Sequence, residues 1–182
     1  MRDTVYYLPG AGGRLHTGLG EGLAARGWDI AGRETVGEFR ELPFSLQVAT
    51  IAEDLRAHFW RDDARVVAVS FGAYLFLHAQ SHLPPFPGRV LLLSPIVGAF
   101  SDDANGRHFS PPQPDRLRQL AEAGAFRPPA RCVIHVGCED WQSDPHRVQA
   151  LANRVGIPVT VVPGAGHRLG KDYVGGLLDA WR

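Results

Sequence analysis

Three side chains carry the chemistry this sequence offers, and each stands just after an apolar run. Ser70 lies in Ala68-Val69-Ser70-Phe71-Gly72, behind Arg65 to Val69 and ahead of the apolar segment Ala73 to Gln80. A serine hydroxyl is a weak nucleophile until a base takes its proton, and the base needs an acid to orient it. His167 follows the run Ile157 to Val162 in Gly164-Ala165-Gly166-His167, and Asp140 follows Cys132 to Val136 in Gly137-Cys138-Glu139-Asp140. A fourth segment, Pro9-Gly10-Ala11-Gly12-Gly13 after Thr4 to Leu8, is built of small residues whose backbone N–H groups can face an oxyanion. A serine in a sharp strand-to-helix turn, with small residues two before and two after it, meets the steric demand of a nucleophile elbow. The same serine in a plainer role would cap the helix that begins at Phe71.

Rival residues are few. Asp144 is a second candidate acid, but Asp144-Pro145 is a helix-start signature that already gives its side chain work. Glu139 follows the strand one position too early. Ser94 also ends a strand, but Pro95 after it has no N–H to donate. His58, His78 and His82 fall on helical stretches and His135 on a strand, where packing or surface roles fit better. Cys138 reads as a small apolar filler. The first glycine loop lacks a third glycine in dinucleotide spacing, because Leu15 stands there, and it has no Walker lysine.

The elements that must position these residues alternate. Strands are expected at Thr4–Leu8, Asp29–Glu34, Arg65–Val69, Arg89–Leu93, Cys132–Val136 and Ile157–Val162. Helices are expected over Leu15–Arg26, from Ser45 (as N-cap) to Phe59, over Ala73–Gln80, around Arg116–Leu120, from Pro145 with Asp144 as N-cap, and through Val174–Trp181. Six β/α units in a row imply a parallel sheet covered by helices on both faces. The stretch from Pro95 to Pro114 has no periodicity and exceeds the length at which loops are usually functional or disordered.

With these segments in order, each at a strand end, the sequence resembles the α/β-hydrolase superfamily over essentially its whole length. The resemblance implies a three-layer α/β/α sandwich with a mostly parallel six-stranded sheet in the order 2-1-3-4-5-6, lacking the family's first two strands. It implies a nucleophile at Ser70, an acid at Asp140, a base at His167, and oxyanion donors on the backbone of Ala11 and Phe71. Ala68 departs from the family pattern, which has glycine there. Pro9-Gly10 stands where many members have His-Gly. Residues 95–114 leave the sheet where the family inserts its cap, so Phe100, His108 and Phe109 are expected to line or cover the pocket. Gly12 and His16 would border it from the oxyanion loop.

Composition narrows the classes. The 182 residues form one expected domain, with nineteen Lys and Arg balanced by nineteen Asp and Glu. Zero net charge argues against nucleic-acid binding, and no apolar run is long enough to cross a bilayer. Two cysteines match no zinc signature, and no signal-peptide pattern opens the chain. The expectation is a cytoplasmic, metal-independent serine hydrolase without a cofactor, acting on a small-molecule ester or thioester. The contrasting readings are a binding protein of the same fold with little hydrolysis, and a nucleotide-binding module.

Overall fold

Along each central strand the apolar side chains alternate between two separate cores, as a period of two requires. The structure, a computed structural model, describes residues 3–181. In β1 (Thr4–Leu8), Tyr6 and Leu8 enter one core while Val5 and Tyr7 enter the other. The same split recurs in β3 (Arg65–Val69), with Val66 and Ala68 against Val67, and in β4 (Arg89–Leu93), with Val90 and Leu92 against Leu91 and Leu93. Both faces are buried, so these strands read as unbroken apolar runs, as parallel sheets do.

β2 (Asp29–Gly32), β7 (Arg131–Gly137) and β8 (Val159–Val162) complete a six-stranded sheet in the order β2-β1-β3-β4-β7-β8. Every neighbouring pair in it is parallel. This is the expected order, with two extra short strands between the fourth and fifth. The larger core is covered by α3 (Phe44–Asp54), α4 (Phe71–Gln80), α5 (Arg116–Glu122) and α6 (Pro145–Val155). Leu23 of α1 (Leu19–Ala25) and Val174 and Leu178 of α7 (Lys171–Ala180) close the smaller one.

Several local expectations are corrected. Ser45 does not cap α3. Pro43 does, with φ −51° and ψ 142°, and its carbonyl accepts the N–H groups of Leu46 and Gln47. α1 begins at Leu19 rather than Leu15, because Gly18 turns the chain at φ +56°. A short helix α2 (Gly37–Glu41) has no counterpart in the periodicity, and the helix expected to reach Phe59 does so by a π-helical turn at Leu55–Phe59. His82 lies in the turn after α4 rather than on a helix. Residues 95–114 are not without regular structure: β5 (Phe100–Asp102) and β6 (Arg107–Phe109) pair as an antiparallel hairpin. Three-residue strands are too short to show a period in sequence.

Candidate active site

Ser70 sits where β3 turns into α4, at φ 52° and ψ −117°. A β-substituted residue in that region carries strain of about 1–3 kcal/mol, which the surroundings must offset. They hold it from several sides. The Ser70 N–H donates to the Leu93 carbonyl at 3.0 Å, and the Ser70 carbonyl accepts the N–H groups of Tyr74 and Ile96 at 3.1 and 3.2 Å. The side chain makes no capping bond to the helix, so the plainer role is not the one it plays.

Gly72 is small for a reason other than fitting its own strand. A Cβ there would lie 2.3 Å from the Leu8 carbonyl oxygen and 2.4 Å from that of Pro9. The glycine lets the first turn of α4 rest on the end of β1. Ala68 is fully buried in register with Leu8 and Leu92, so its methyl is accommodated in the core.

The Ser70 hydroxyl meets His167 at 2.8 Å from Oγ to Nε2. On the far side of the ring, Nδ1 lies 3.0 and 2.9 Å from the two carboxylate oxygens of Asp140. Asp140 is 3% exposed, and a buried carboxylate needs partners. Besides the imidazole, its Oδ1 accepts the backbone N–H groups of Gln142 and Ser143 at 2.9 and 2.8 Å. Its loop and the histidine loop pack backbone against backbone: the Glu139 N–H donates to the Ala165 carbonyl at 2.9 Å. Gly137 permits this, since a Cβ there would fall 2.1 Å from the same oxygen.

Asp144 caps α6, accepting the N–H groups of His146 at 2.8 Å and Arg147 at 3.4 Å. Glu139 is exposed. Ser94 is buried, also at positive φ, and its hydroxyl has no hydrogen-bond partner among the described residues. Cys138 is exposed rather than a buried filler, because it stands in the loop beyond β7; its sulfur accepts the Gly164 N–H at 3.1 Å.

The Pro9–Gly13 loop comes against the serine: a Cβ on Gly10 would be 3.3 Å from the Ser70 Cβ. Within that loop the Gly12 N–H is taken by the Thr35 carbonyl at 3.2 Å and the Gly13 N–H by Gly10 at 2.9 Å. The expected donors Ala11 and Phe71 stand in that loop and at the first position of α4. The loop after β1 and the elbow after β3 flank the point where the chain reverses its direction across the sheet, the crevice where open α/β sheets place ligands.

The other expected pocket residues are dispersed. His16 is exposed, and His108 stands on the hairpin 3.9 Å from Asp103. Phe100 and Phe109 pack on each other with ring centroids 5.0 Å apart, and Phe100 meets Trp141 at 5.5 Å. Trp141, immediately after Asp140, was not singled out by the sequence, although its place beside the acid was a readable signal. Both ends of the 95–114 segment are pinned. The Tyr74 hydroxyl donates toward the Pro112 and Gln113 carbonyls (2.6 and 3.0 Å), and the Arg147 guanidinium donates to the Ala99 carbonyl.

No protein-family model matches the sequence, and neither does any curated protein. Solved structures do match. The ydeN gene product of B. subtilis is 14% identical, with 98% of each chain covered and a TM-score of 0.65. Alpha/beta hydrolase domain-containing protein 10 from mouse is 13% identical, with 98% of this chain and 87% of that one covered at a TM-score of 0.67. A carboxylesterase structure from Nitrososphaera gargenis is 9% identical, covering 99% and 90% at 0.64. Similarity at these identities is similarity of fold, and with the sheet order it leads to one conclusion: the chain has the α/β-hydrolase fold.

Proposed function

We propose that this protein is a serine hydrolase that cleaves an ester or thioester through an acyl-enzyme. The observation that carries the reading is the continuous relay from Ser70 Oγ through His167 to the buried Asp140, with hydrogen bonds of 2.8 and 2.9 Å. His167 Nε2 takes the hydroxyl proton as Ser70 Oγ forms a bond to the acyl carbon. The carbonyl π electrons move onto oxygen, and the Ala11 and Phe71 N–H groups stabilise that charge, each donor typically worth about 3 kcal/mol. Collapse breaks the bond to the alcohol or thiol, which leaves with the proton from His167. Water then attacks the acyl-enzyme with His167 again as base, releasing the acid and restoring Ser70. Asp140 holds the imidazole tautomer and stabilises its charged form. The hairpin resting on Trp141 is a small cover for this cleft.

The test is hydrolysis of a p-nitrophenyl ester by folded variants. Ser70→Ala and His167→Ala should each lower kcat by a factor on the order of 10⁶, because the residues act as one unit. A variant that keeps a tenth of wild-type turnover would remove its residue from the relay.

A further inference from the structure

We propose that Thr35 is a positioning residue that sets the oxyanion loop, an inference resting on the hydrolase reading above. The loop is three-fifths glycine, Pro9-Gly10-Ala11-Gly12-Gly13, with Gly12 at φ +75°. Such a segment has wide conformational freedom, so an N–H aimed at a reacting oxygen must be held by something outside it. Thr35 supplies that hold from the segment just beyond β2, and it is 4% exposed. Its hydroxyl donates to the Gly10 carbonyl and accepts the Gly13 N–H at 2.9 Å. Its backbone carbonyl accepts the Gly12 N–H at 3.2 Å, and its own N–H donates to the Gly13 carbonyl at 3.1 Å. Next to it, the Glu34 carboxylate accepts the Leu15 N–H at 3.1 Å. The loop is thus gripped on both sides of Ala11, whose N–H is the proposed oxyanion donor.

The hydroxyl bonds the Gly10 carbonyl, which shares a peptide with the Ala11 N–H, and the Gly13 N–H beyond it, and takes no part in the proposed acyl transfer. Its loss should therefore blur the direction of the Ala11 N–H without removing any reacting group. Transition-state stabilisation should suffer more than ground-state binding, since the oxyanion exists only after attack. Thr35→Val keeps the shape and removes the hydroxyl, whereas Thr35→Ser keeps the hydroxyl.

The experiment measures three things on wild type and both variants. They are ester hydrolysis, affinity for a trifluoromethyl ketone that forms an oxyanion adduct, and amide hydrogen exchange at Gly10 to Gly13. In Thr35→Val, kcat should fall about 10- to 100-fold with KM changed less than about threefold, and ketone affinity should fall in parallel. Exchange at Gly13 should quicken, and Thr35→Ser should stay within about threefold of wild type in all three. If Thr35→Val keeps wild-type kcat and ketone affinity while wild type hydrolyses ester through Ser70, the positioning role is overturned and the hydrolase reading stands. If wild type neither hydrolyses ester nor binds the ketone, the hydrolase reading fails and takes the positioning role with it. The exchange data would then report only how the loop is held.

Discussion

Asp140 and Asp144 are four positions apart, yet their surroundings assign them different work. Asp140 is buried and spans from two backbone amides to the imidazole of His167, whereas Asp144 closes the first turn of α6. Asp140→Asn should lower kcat by roughly 10⁴ by disturbing the imidazole tautomer, with the protein still folded. Asp144→Asn should leave turnover almost unchanged, because asparagine caps a helix about as well as aspartate. Steady-state kinetics on the two variants decide between them, and exchanged phenotypes would name Asp144 as the acid. This division was legible in the sequence, since Asp-Pro announces a cap and the Gly137–Asp140 segment ends a strand. The role of Thr35 was not legible. A threonine after a weak strand gives no sign of its partners until folding brings residues 10 to 13 beside it.

At the scale of elements, the site depends on backbones that approach more closely than side chains allow. The start of α4 rests on the end of β1 through Gly72, and the acid and histidine loops meet through Gly137. Gly72→Ala should therefore push the elbow off the oxyanion loop and cost at least tenfold in kcat/KM, since the obstructing atoms are backbone carbonyls 2.3 and 2.4 Å away. Gly166→Ala, beside His167 but with nothing within 4 Å of its added methyl, should be close to wild type. Kinetics of the two variants, with circular dichroism to verify folding, provide the comparison. Equal loss in both would show that any added methyl near the relay is harmful and that the close approach of α4 to β1 is not the cause. The long strands and helices were readable because both periods persist over many residues. The hairpin β5–β6 and the Pro43 cap were not: the strands are three residues each, and the cap lies two residues before the serine that composition favoured.

Over the whole molecule, the parallel sheet and its two buried faces followed from six apolar runs alternating with helices, whereas the strand order followed from the resemblance to the α/β-hydrolase superfamily. What the pattern could not show is how single polar groups fare inside the cores. His78 is 2% exposed, packed against Phe44 and Tyr74 with its Nε2 unpartnered among the described residues. Burial, together with the nearby charges of His82 and Arg116, pushes it down to about 4. An unfolded histidine titrates near 6.5, so between about pH 6.5 and 4 the unfolded chain binds a proton that the folded chain refuses. Stability from this group is complete above that range and falls as pH drops through it, by on the order of 3 kcal/mol. His135, also lowered by burial, acts in the same direction. His78→Phe retains an aromatic ring and cannot titrate. Urea unfolding at pH 7 and pH 4.5 should therefore show a smaller loss of midpoint in the variant than in wild type. Equal losses would mean that His78 becomes protonated without resistance in the folded protein.

The central claim is that Ser70 is a nucleophile activated by His167, and covalent capture tests it most directly. Wild-type protein, Ser70→Ala and His167→Ala are each treated with a fluorophosphonate, digested and mapped by mass spectrometry. A single adduct on the Ser70 peptide of wild type is predicted, absent from Ser70→Ala and slowed at least a thousandfold in His167→Ala. An adduct on another residue, an unlabelled wild type, or labelling of Ser70 at the same rate without His167 would contradict the account.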